Sequence, residues 1–171
     1  LAAAGHDRIA VQTPVKVGLL STGDEIVEAG GRLETGQVYD SNRPMMRALL
    51  ADPMLSLSDH GIVPDKLAAL TSAYEKALAT HDVVISSGGA SDGIEDHTQA
   101  AMQAVGADCA FWRLAMKPGR PMAVGQKGKK LIFCLPGNPV AAFVCTKLLI
   151  MPLLTHLAGG VMTKPLKCII P

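Results

Sequence analysis

The sequence predicts an α/β fold, a parallel or mixed sheet with helices on both faces. Three observations carry this expectation. Short apolar runs alternate with segments of helical periodicity from Val15 onward, the order of a βαβ chain. One of the runs, Asp82-Val-Val-Ile85, is continuously apolar, as in strands buried on both faces. The length of 171 residues fits a single domain, and such a chain buries ~70% of the surface it exposes when unfolded.

The elements follow in order. Residues 1–14 have no period and read as a lead-in from a preceding domain. Val15 to Leu20 is a strand ending at Ser21-Thr-Gly-Asp-Glu25. Gly36 to Asp40 is a short strand or an extended loop after the Gly30-Gly31 turn. Ser41 caps a helix over 42–50, with Pro44 in its first turn, where proline is tolerated. Leu55 to Val63 is a strand, and Pro64 and Asp65 start a helix to Thr80. The strand at 82–85 runs into Ser86-Ser-Gly-Gly-Ala-Ser-Asp-Gly93, and a helix from Asp96 to Val105 closes at Gly106. Residues 109–116 read as a strand, and Lys117-Pro-Gly-Arg-Pro121 as a turn. Met122–Val124 and Leu131–Cys134 read as strands joined through Gly125-Gln-Lys-Gly128. Leu135-Pro-Gly-Asn-Pro139 then leads into a long apolar helix from Val140 to Leu157. The domain proper is expected over 15–160, with 161–171 a stub of a following domain.

Composition narrows the function classes. Hydrophobic residues make up 49% and charged residues 18%, which excludes a disordered chain. Sixteen Lys and Arg against fifteen Asp and Glu give a formal charge of +1, and aromatics are 4%. No field draws in nucleic acid or a membrane surface, and no stacking platform is available. Cys109, Cys134, Cys145 and Cys168 form no C-x-x-C pair, so neither a zinc site nor a disulfide framework is expected. The stretch Val140–Leu154 is broken by Lys147 and Pro152 and falls short of a membrane span. The start at Leu1 carries neither an initiator Met nor a signal-peptide pattern, so the chain reads as a piece of something longer, with the cytoplasm as its address.

Three glycine-bearing loops follow directly on predicted strands: Thr22-Gly-Asp-Glu25, Gly88-Gly-Ala-Ser-Asp-Gly93 and Pro136-Gly-Asn-Pro139. In an open α/β sheet they gather at the carboxyl edge, where ligands bind. Glycines at 88 and 89 let backbone N–H groups approach an anion at a helix N-terminus, or simply make a tight turn. The loop is neither a Walker A nor a G-x-G-x-x-G match. The acidic residues Asp24, Glu25, Asp92, Glu95 and Asp96 lie on these loops, with Asp40 and Asp65 at other element ends. Beside a phosphate they suit Mg²⁺; otherwise they decorate helix starts, the reading given to Asp92 and Glu95. Lys117 and Arg120 flank a stiff Pro-Gly turn and can converge on one oxyanion, or form an exposed basic turn. Lys127, Lys129 and Lys130 read as a solvated hairpin tip, and the methionines at 45, 46, 116, 122 and 151 as core filler. Pro136-Gly-Asn-Pro139 fixes a sharp turn, from which the N–H groups of Val140 and Ala141 are expected to point into the crevice.

Taken together, Ser21-Thr-Gly-Asp-Glu25 with Gly36-Gln-Val-Tyr-Asp-Ser-Asn42, Ser87-Gly-Gly-Ala-Ser-Asp-Gly93 with Asp96, Lys117-Pro-Gly-Arg-Pro121 and Leu135-Pro-Gly-Asn-Pro139 resemble the molybdopterin molybdotransferases of molybdenum cofactor biosynthesis. The resemblance covers residues 15–160. It implies a three-layer α/β/α domain with a mostly parallel mixed sheet. It also implies insertion of molybdate into adenylated molybdopterin with release of AMP, a divalent cation (Mg²⁺), and a homodimer whose partner completes the site. By this resemblance Ser91, Lys117, Arg120 and Pro121 bind molybdate. Asp96 is tied to the metal and to catalysis, and Glu25 and Asp65 to activity. Thr22, Gly23, Asp24, Gly88, Gly89, Gly137 and Asn138 cradle the pterin phosphate. The chain departs from the family at Asp92, usually apolar, at Ala141, commonly Ser, and at Arg120, commonly Lys. Two other readings stay open: an adenylyltransferase of the same pathway on the same fold, which is also a possible partner, and a non-enzymatic dimerisation or binding module.

Overall fold

The computed structural model describes residues 1–88, 95–111 and 115–161, with the backbone alone at 95, 96 and 111. Its centre is a six-stranded sheet of β1 (Val15–Thr22), β4 (Leu55–Val63), β5 (Val83–Ser87), β6 (Asp108–Phe111), β7 (Ala123–Lys127) and β8 (Lys130–Leu135), in the order β4-β1-β5-β8-β7-β6. β4, β1, β5 and β8 run parallel, and β7 is antiparallel to both β8 and β6. The mixed sheet is thus mostly parallel. A separate two-stranded ribbon pairs β2 (Ile26–Val27) with β3 (Val38–Tyr39) in parallel.

Period-2 alternation sorts side chains onto the two faces. On one face Val17 and Leu19 of β1, Val83 and Ile85 of β5, and Phe133 and Leu135 of β8 form a core. Met46 and Leu50 cover it from α1 (Asn42–Leu49) and the residue after it. Ala142, Cys145, Ile150 and Leu154 cover it from the C-terminal helix. On the other face Leu20, Val84, Ile132 and Cys134 meet Leu70, Tyr74, Ala77 and Leu78 of α2 (Leu67–Thr80) and Ala101 and Met102 of α3 (Glu95–Ala104). Each fully buried aliphatic side chain contributes roughly 1.5–3 kcal/mol of transfer free energy, so two continuous cores explain why strands β1, β5 and β8 read as near-continuous apolar runs. The three-layer expectation holds.

Several boundaries differ from the sequence reading. α2 begins at Leu67 rather than at Pro64, because Asp65 N–H is turned to the Asp24 carboxylate and Lys66 N–H to Pro64 O. Ser41 precedes α1 without a side-chain cap; Asp40 Oδ1 accepts from Arg43 N instead. β6 ends at Phe111, residues 112–114 lie outside the described residues, and 115–116 are not strand. The hairpin of β7 and β8 runs on through Gly125 and Lys127 to a two-residue tip at Gly128-Lys129. Lys130 is not solvated throughout, since its Nζ donates to Leu78 O.

The long C-terminal helix has three parts: α4 (Pro139–Cys145), a π turn over Thr146–Ile150, and α5 (Met151–Leu157). Pro152 has no N–H to offer the carbonyl four residues back. The chain widens just before it, with Met151 N–H bonded to Thr146 O five residues back. By length and composition the 19 residues of Pro139–Leu157 could cross a membrane. Here Ala142, Cys145, Ile150 and Leu154 bury one side in the sheet core. Val140, Phe143 and Leu148 on the helix are exposed. Among the described residues, Cys109, Cys134 and Cys145 are not joined in a disulfide.

Candidate functional site

The loops after β1, β5 and β8 leave the same edge of the sheet and close on one another. Gly88 has φ +88°, a left-handed backbone that favours glycine. A Cβ at this position would lie 2.0 Å from the carbonyl oxygen of Thr22. One at Gly137 would lie 3.8 Å from Gly88 Cα. Gly88 N–H donates to Leu135 O at 3.2 Å, and Asn42 Nδ2 donates to Gly137 O at 2.9 Å. The expected gathering of the three loops is therefore observed through Thr22, Gly88 and Gly137.

They surround a cleft of about 320 Å³. Its floor carries Ser21, Thr22, Ser87, Gly88 and Gly137, and its other side carries Ile26, Val38 and Tyr39 of the ribbon. Glu25, Asp40, Ser41, Asn42 and Pro139 complete it. Ser21 Oγ and Ser87 Oγ bond each other at 3.2 Å. Thr22 Oγ1, Asn42 Oδ1 and Asp40 Oδ2 are buried without a hydrogen-bond partner. Such groups are costly unless something pairs with them.

Arg43 ties the ribbon to the sheet. Its buried guanidinium meets Glu28 beyond β2, Asp59 of β4 at 3.1 Å, and Asp40 after β3 at 3.7 Å. Burial acts to lower the pKa of Arg43, but the hydrogen bond to Glu28 and the charges of Asp59 and Asp40 outweigh it and raise the value. Tyr39 Oη donates to Gly31 O at 2.9 Å, which braces the ribbon from its outer end. The sequence reading quoted Asn42 only within a motif and passed over Arg43 altogether. The Gly36–Asn42 motif was the available signal, because a seven-residue string that mixes an aromatic, an acid and an amide is more than a loop needs.

The acidic residues form a second group at the edge. Asp24 Oδ1 accepts from Asp65 N at 3.1 Å. Asp65 Oδ1 is buried, 3.8 Å from His97 Nδ1, too far for a hydrogen bond. Burial pushes the Asp65 carboxyl above the usual aspartate range, His97 opposes this, and the charges of Asp24 and Glu25 add to it. Glu25 folds back over Gly23, where a Cβ would lie 2.7 Å from Glu25 Oε2. Asp96 lies in the first turn of α3. Gly89 and Ser91, like Asp92, lie outside the described residues. Among the described residues no group of three or more His, Cys, Asp and Glu side chains could hold a metal.

One expectation is corrected outright. The N–H groups of Val140 and Ala141 are not free: Asn138 Oδ1 accepts from both, at 3.0 and 3.2 Å. Asn138 is the cap of α4, and its side-chain oxygen is committed to the helix rather than to a ligand. Lys117, Arg120 and Pro121 are not among the described residues lining the cleft. Lys117 and Arg120 are exposed. Their turn is pinned at Gly119, which is buried with φ +106° and accepts from Cys145 Sγ at 3.8 Å through its carbonyl oxygen. A Cβ there would lie 2.7 Å from that sulfur.

With this geometry in view, comparison with known proteins is decisive. The family described as "Probable molybdopterin binding domain" matches residues 18–156. The chain belongs to this family. It is 43% identical over 159 residues to a "Molybdopterin molybdenumtransferase" of Haemophilus influenzae, covering 93% of this chain and 39% of that protein. It is 32% identical over 165 residues to a protein of the same name from Staphylococcus aureus, covering 96% and 39%. Among solved structures, the molybdopterin biosynthesis moea protein from Pyrococcus horikosii superposes with a TM-score of 0.76 at 32% identity, covering 85% of this chain and 36% of that one. The chain thus spans about 39% of the length of the curated relatives it matches. The matched span of the molybdopterin-binding family runs from β1 through α5, so all three loops of the cleft lie inside it.

Proposed function

We propose that this chain is the substrate-binding domain of a molybdopterin molybdotransferase, which inserts molybdate into adenylated molybdopterin and releases AMP. The observation that carries the reading is the convergence of the Thr22, Gly88 and Gly137 loops on one cleft, within a family defined by molybdopterin binding. The two relatives named as molybdenumtransferases support the activity.

In this reading the pterin phosphate and the phosphoanhydride to AMP rest on the Gly23, Gly88-Gly89 and Gly137 turns, through backbone N–H groups other than that of Gly88, which donates to Leu135 O. Donors of this kind are fixed before the reaction and stabilise charge that develops as the anhydride breaks. Lys117 and Arg120 hold molybdate, with Ser91 and Pro121. Their exposure on a pinned turn suits capture of a small dianion from solvent. Mg²⁺ supplies charge neutralisation at the phosphate oxygens when bound. The residues present fit such a cation. Asp65 Oδ1 is buried without a hydrogen bond, 3.8 Å from His97 Nδ1 and under the influence of the Asp24 and Glu25 charges, and Mg²⁺ needs only one or two carboxylates with waters and phosphate oxygens. Asp96 at the start of α3 is the further candidate. A homodimer in the cytoplasm is part of the proposal, and the exposed Val140, Phe143 and Leu148 offer an apolar surface for it.

The test is molybdate insertion by the full-length enzyme carrying Lys117→Ala or Arg120→Ala. Loss of a charge-assisted hydrogen bond costs roughly 1.5–3 kcal/mol, so the molybdate concentration for half-maximal insertion should rise about ten- to a hundredfold. Nucleotide affinity should change less. An unchanged molybdate dependence with collapsed nucleotide affinity would assign the turn to the phosphate site instead.

A further inference from the structure

We infer that Arg43 is a positioning residue: it fastens the β2–β3 ribbon, one wall of the cleft, to the helix that holds the Gly137 loop, and so sets the width of the cleft. The inference rests on the function proposed above for the substrate that this width serves.

The ribbon cannot hold its own place. Each of its strands has two residues, and an isolated pair of strands is marginal in water. Burial does not anchor it either. Ile26 and Val27 are half-buried, and Val38 and Tyr39 are 51% and 46% exposed. Yet Ile26, Val38 and Tyr39 line the cleft. The width of the cleft therefore depends on where the ribbon is fixed.

The fixed point is α1. Met46 and Leu50, at and just beyond its far end, are buried in the sheet core. Its first two residues serve the two walls. Asn42 Nδ2 donates to Gly137 O at 2.9 Å on one side. Arg43 serves the other. Its side chain is 4% exposed and spans from Asp59 of β4, at 3.1 Å, to Glu28, the residue after β2. The Asp40 carboxylate stands 3.7 Å from Arg43 Nη1, past hydrogen-bond distance, and neither Asp40 Oδ2 nor Nη1 makes a hydrogen bond. Glu28 thus carries the side-chain tie to the β2 end. The bond from Arg43 N–H to Asp40 Oδ1, at 3.1 Å, holds the β3 end.

A buried arginine is a poor means of gaining stability, because desolvation of the ions offsets their attraction. What its rigid fork supplies is geometry, with carboxylates from separate elements held at fixed angles. Glu28 makes the distinction testable. Its side chain is 66% exposed, so its ion pair adds little to stability, but it sits on the element whose place matters.

The experiment measures KM for adenylated molybdopterin and for molybdate, with the melting temperature, in the full-length enzyme. Variants are Glu28→Gln, Arg43→Lys and the two combined. Arg47→Gln is the control, since it removes an exposed partner of Asp59 that does not reach the ribbon. A misplacement of 1 Å can cost about a hundredfold. Arg43→Lys should therefore raise KM for adenylated molybdopterin at least tenfold, and Glu28→Gln about threefold. The double variant should be no worse than Arg43→Lys, because both changes break one tie. KM for molybdate should stay at the parent value, since Lys117 and Arg120 lie outside the ribbon, and a general loosening of the domain would raise both constants together. Glu28→Gln should melt within about 2 °C of the parent, and Arg47→Gln should keep both constants. If Arg43→Lys does not fold, Glu28→Gln decides alone. Parent values of KM for adenylated molybdopterin in Glu28→Gln, or equal rises in both constants, overturn the inference while leaving the proposed function in place. A parent enzyme that does not use adenylated molybdopterin overturns that function and this inference with it.

Discussion

Gly88→Ala should be the most damaging small substitution at the cleft, and Gly36→Ala is its natural control. Both glycines sit at nearly the same backbone angle, φ +88° and +87°. A Cβ at Gly36 would meet nothing within 4 Å, whereas at Gly88 it would lie 2.0 Å from the Thr22 carbonyl oxygen. The left-handed conformation costs an L-residue roughly 1–2 kcal/mol at either position. At Gly88 the obstacle is backbone, which no rotamer change relieves, and forced backbone shifts in packed regions cost typically 1–3 kcal/mol more. The sum is about 3 kcal/mol at Gly88 against about 1 kcal/mol at Gly36. For a domain of this size 1 kcal/mol moves Tm by roughly 2–4 °C, so Gly88→Ala should melt about 6–12 °C below the parent and Gly36→Ala about 2–4 °C below. Thermal unfolding followed by circular dichroism measures both. Equal losses in the two variants would refute the close approach of the Gly88 loop to β1, and with it the shape of the cleft.

Asn138→Ala removes an acceptor from two N–H groups of α4; urea denaturation should register a loss of about 1 kcal/mol, as for other N-caps. Asp65→Asn should stabilise the fold at neutral pH and not at acid pH. Because burial raises the Asp65 pKa above its unfolded value, the folded state holds the proton more tightly, and the stability this confers is lost as pH rises from the ordinary aspartate range through the raised value. Tm measured against pH for parent and variant should diverge across that window, and parallel curves would contradict the shift. Arg43→Lys keeps the charge but not the forked geometry that reaches Glu28, Asp40 and Asp59 together; hydrogen exchange at the Val38 and Asp40 amides, which bond Glu25 O and Val27 O, should accelerate at least tenfold while the β5 amides stay protected.

The legible parts of the fold were those with a period. The β1 and β5 strands announce themselves because both faces of the sheet are covered, and α2 because Leu70, Tyr74, Ala77 and Leu78 repeat on one side and are all buried. The ribbon was only half legible, since strands of two residues carry no period. It is held by Arg43, whose partners come from positions 28, 40 and 59. The N–H groups at the start of α4 were misread for a related reason. The Pro-Gly-Asn-Pro string announces a turn, but whether Asn138 faces its own helix or a ligand depends on a side-chain torsion that composition does not encode. Glycine loops after strands, by contrast, located the cleft, because only the backbone had to be placed.

The geometry also gives the C-terminal helix a second task besides closing the core. Pro139 lines the cleft, and Cys145, six residues on, receives the buried Gly119 of the cationic turn. At 1.5 Å per residue these points lie about 9 Å apart along one helix axis. A helix cannot stretch or shorten without breaking its hydrogen bonds, so it acts as a ruler between the cleft and the exposed Lys117 and Arg120. The widened π turn begins at Thr146, directly after this span, and so lies outside the ruler. The distortion imposed by Pro152 is thus absorbed beyond the part of the helix that sets the spacing. Groups held at its two ends would be positioned by the same rigid element, which is how a protein fixes two reacting groups without enclosing both in one pocket.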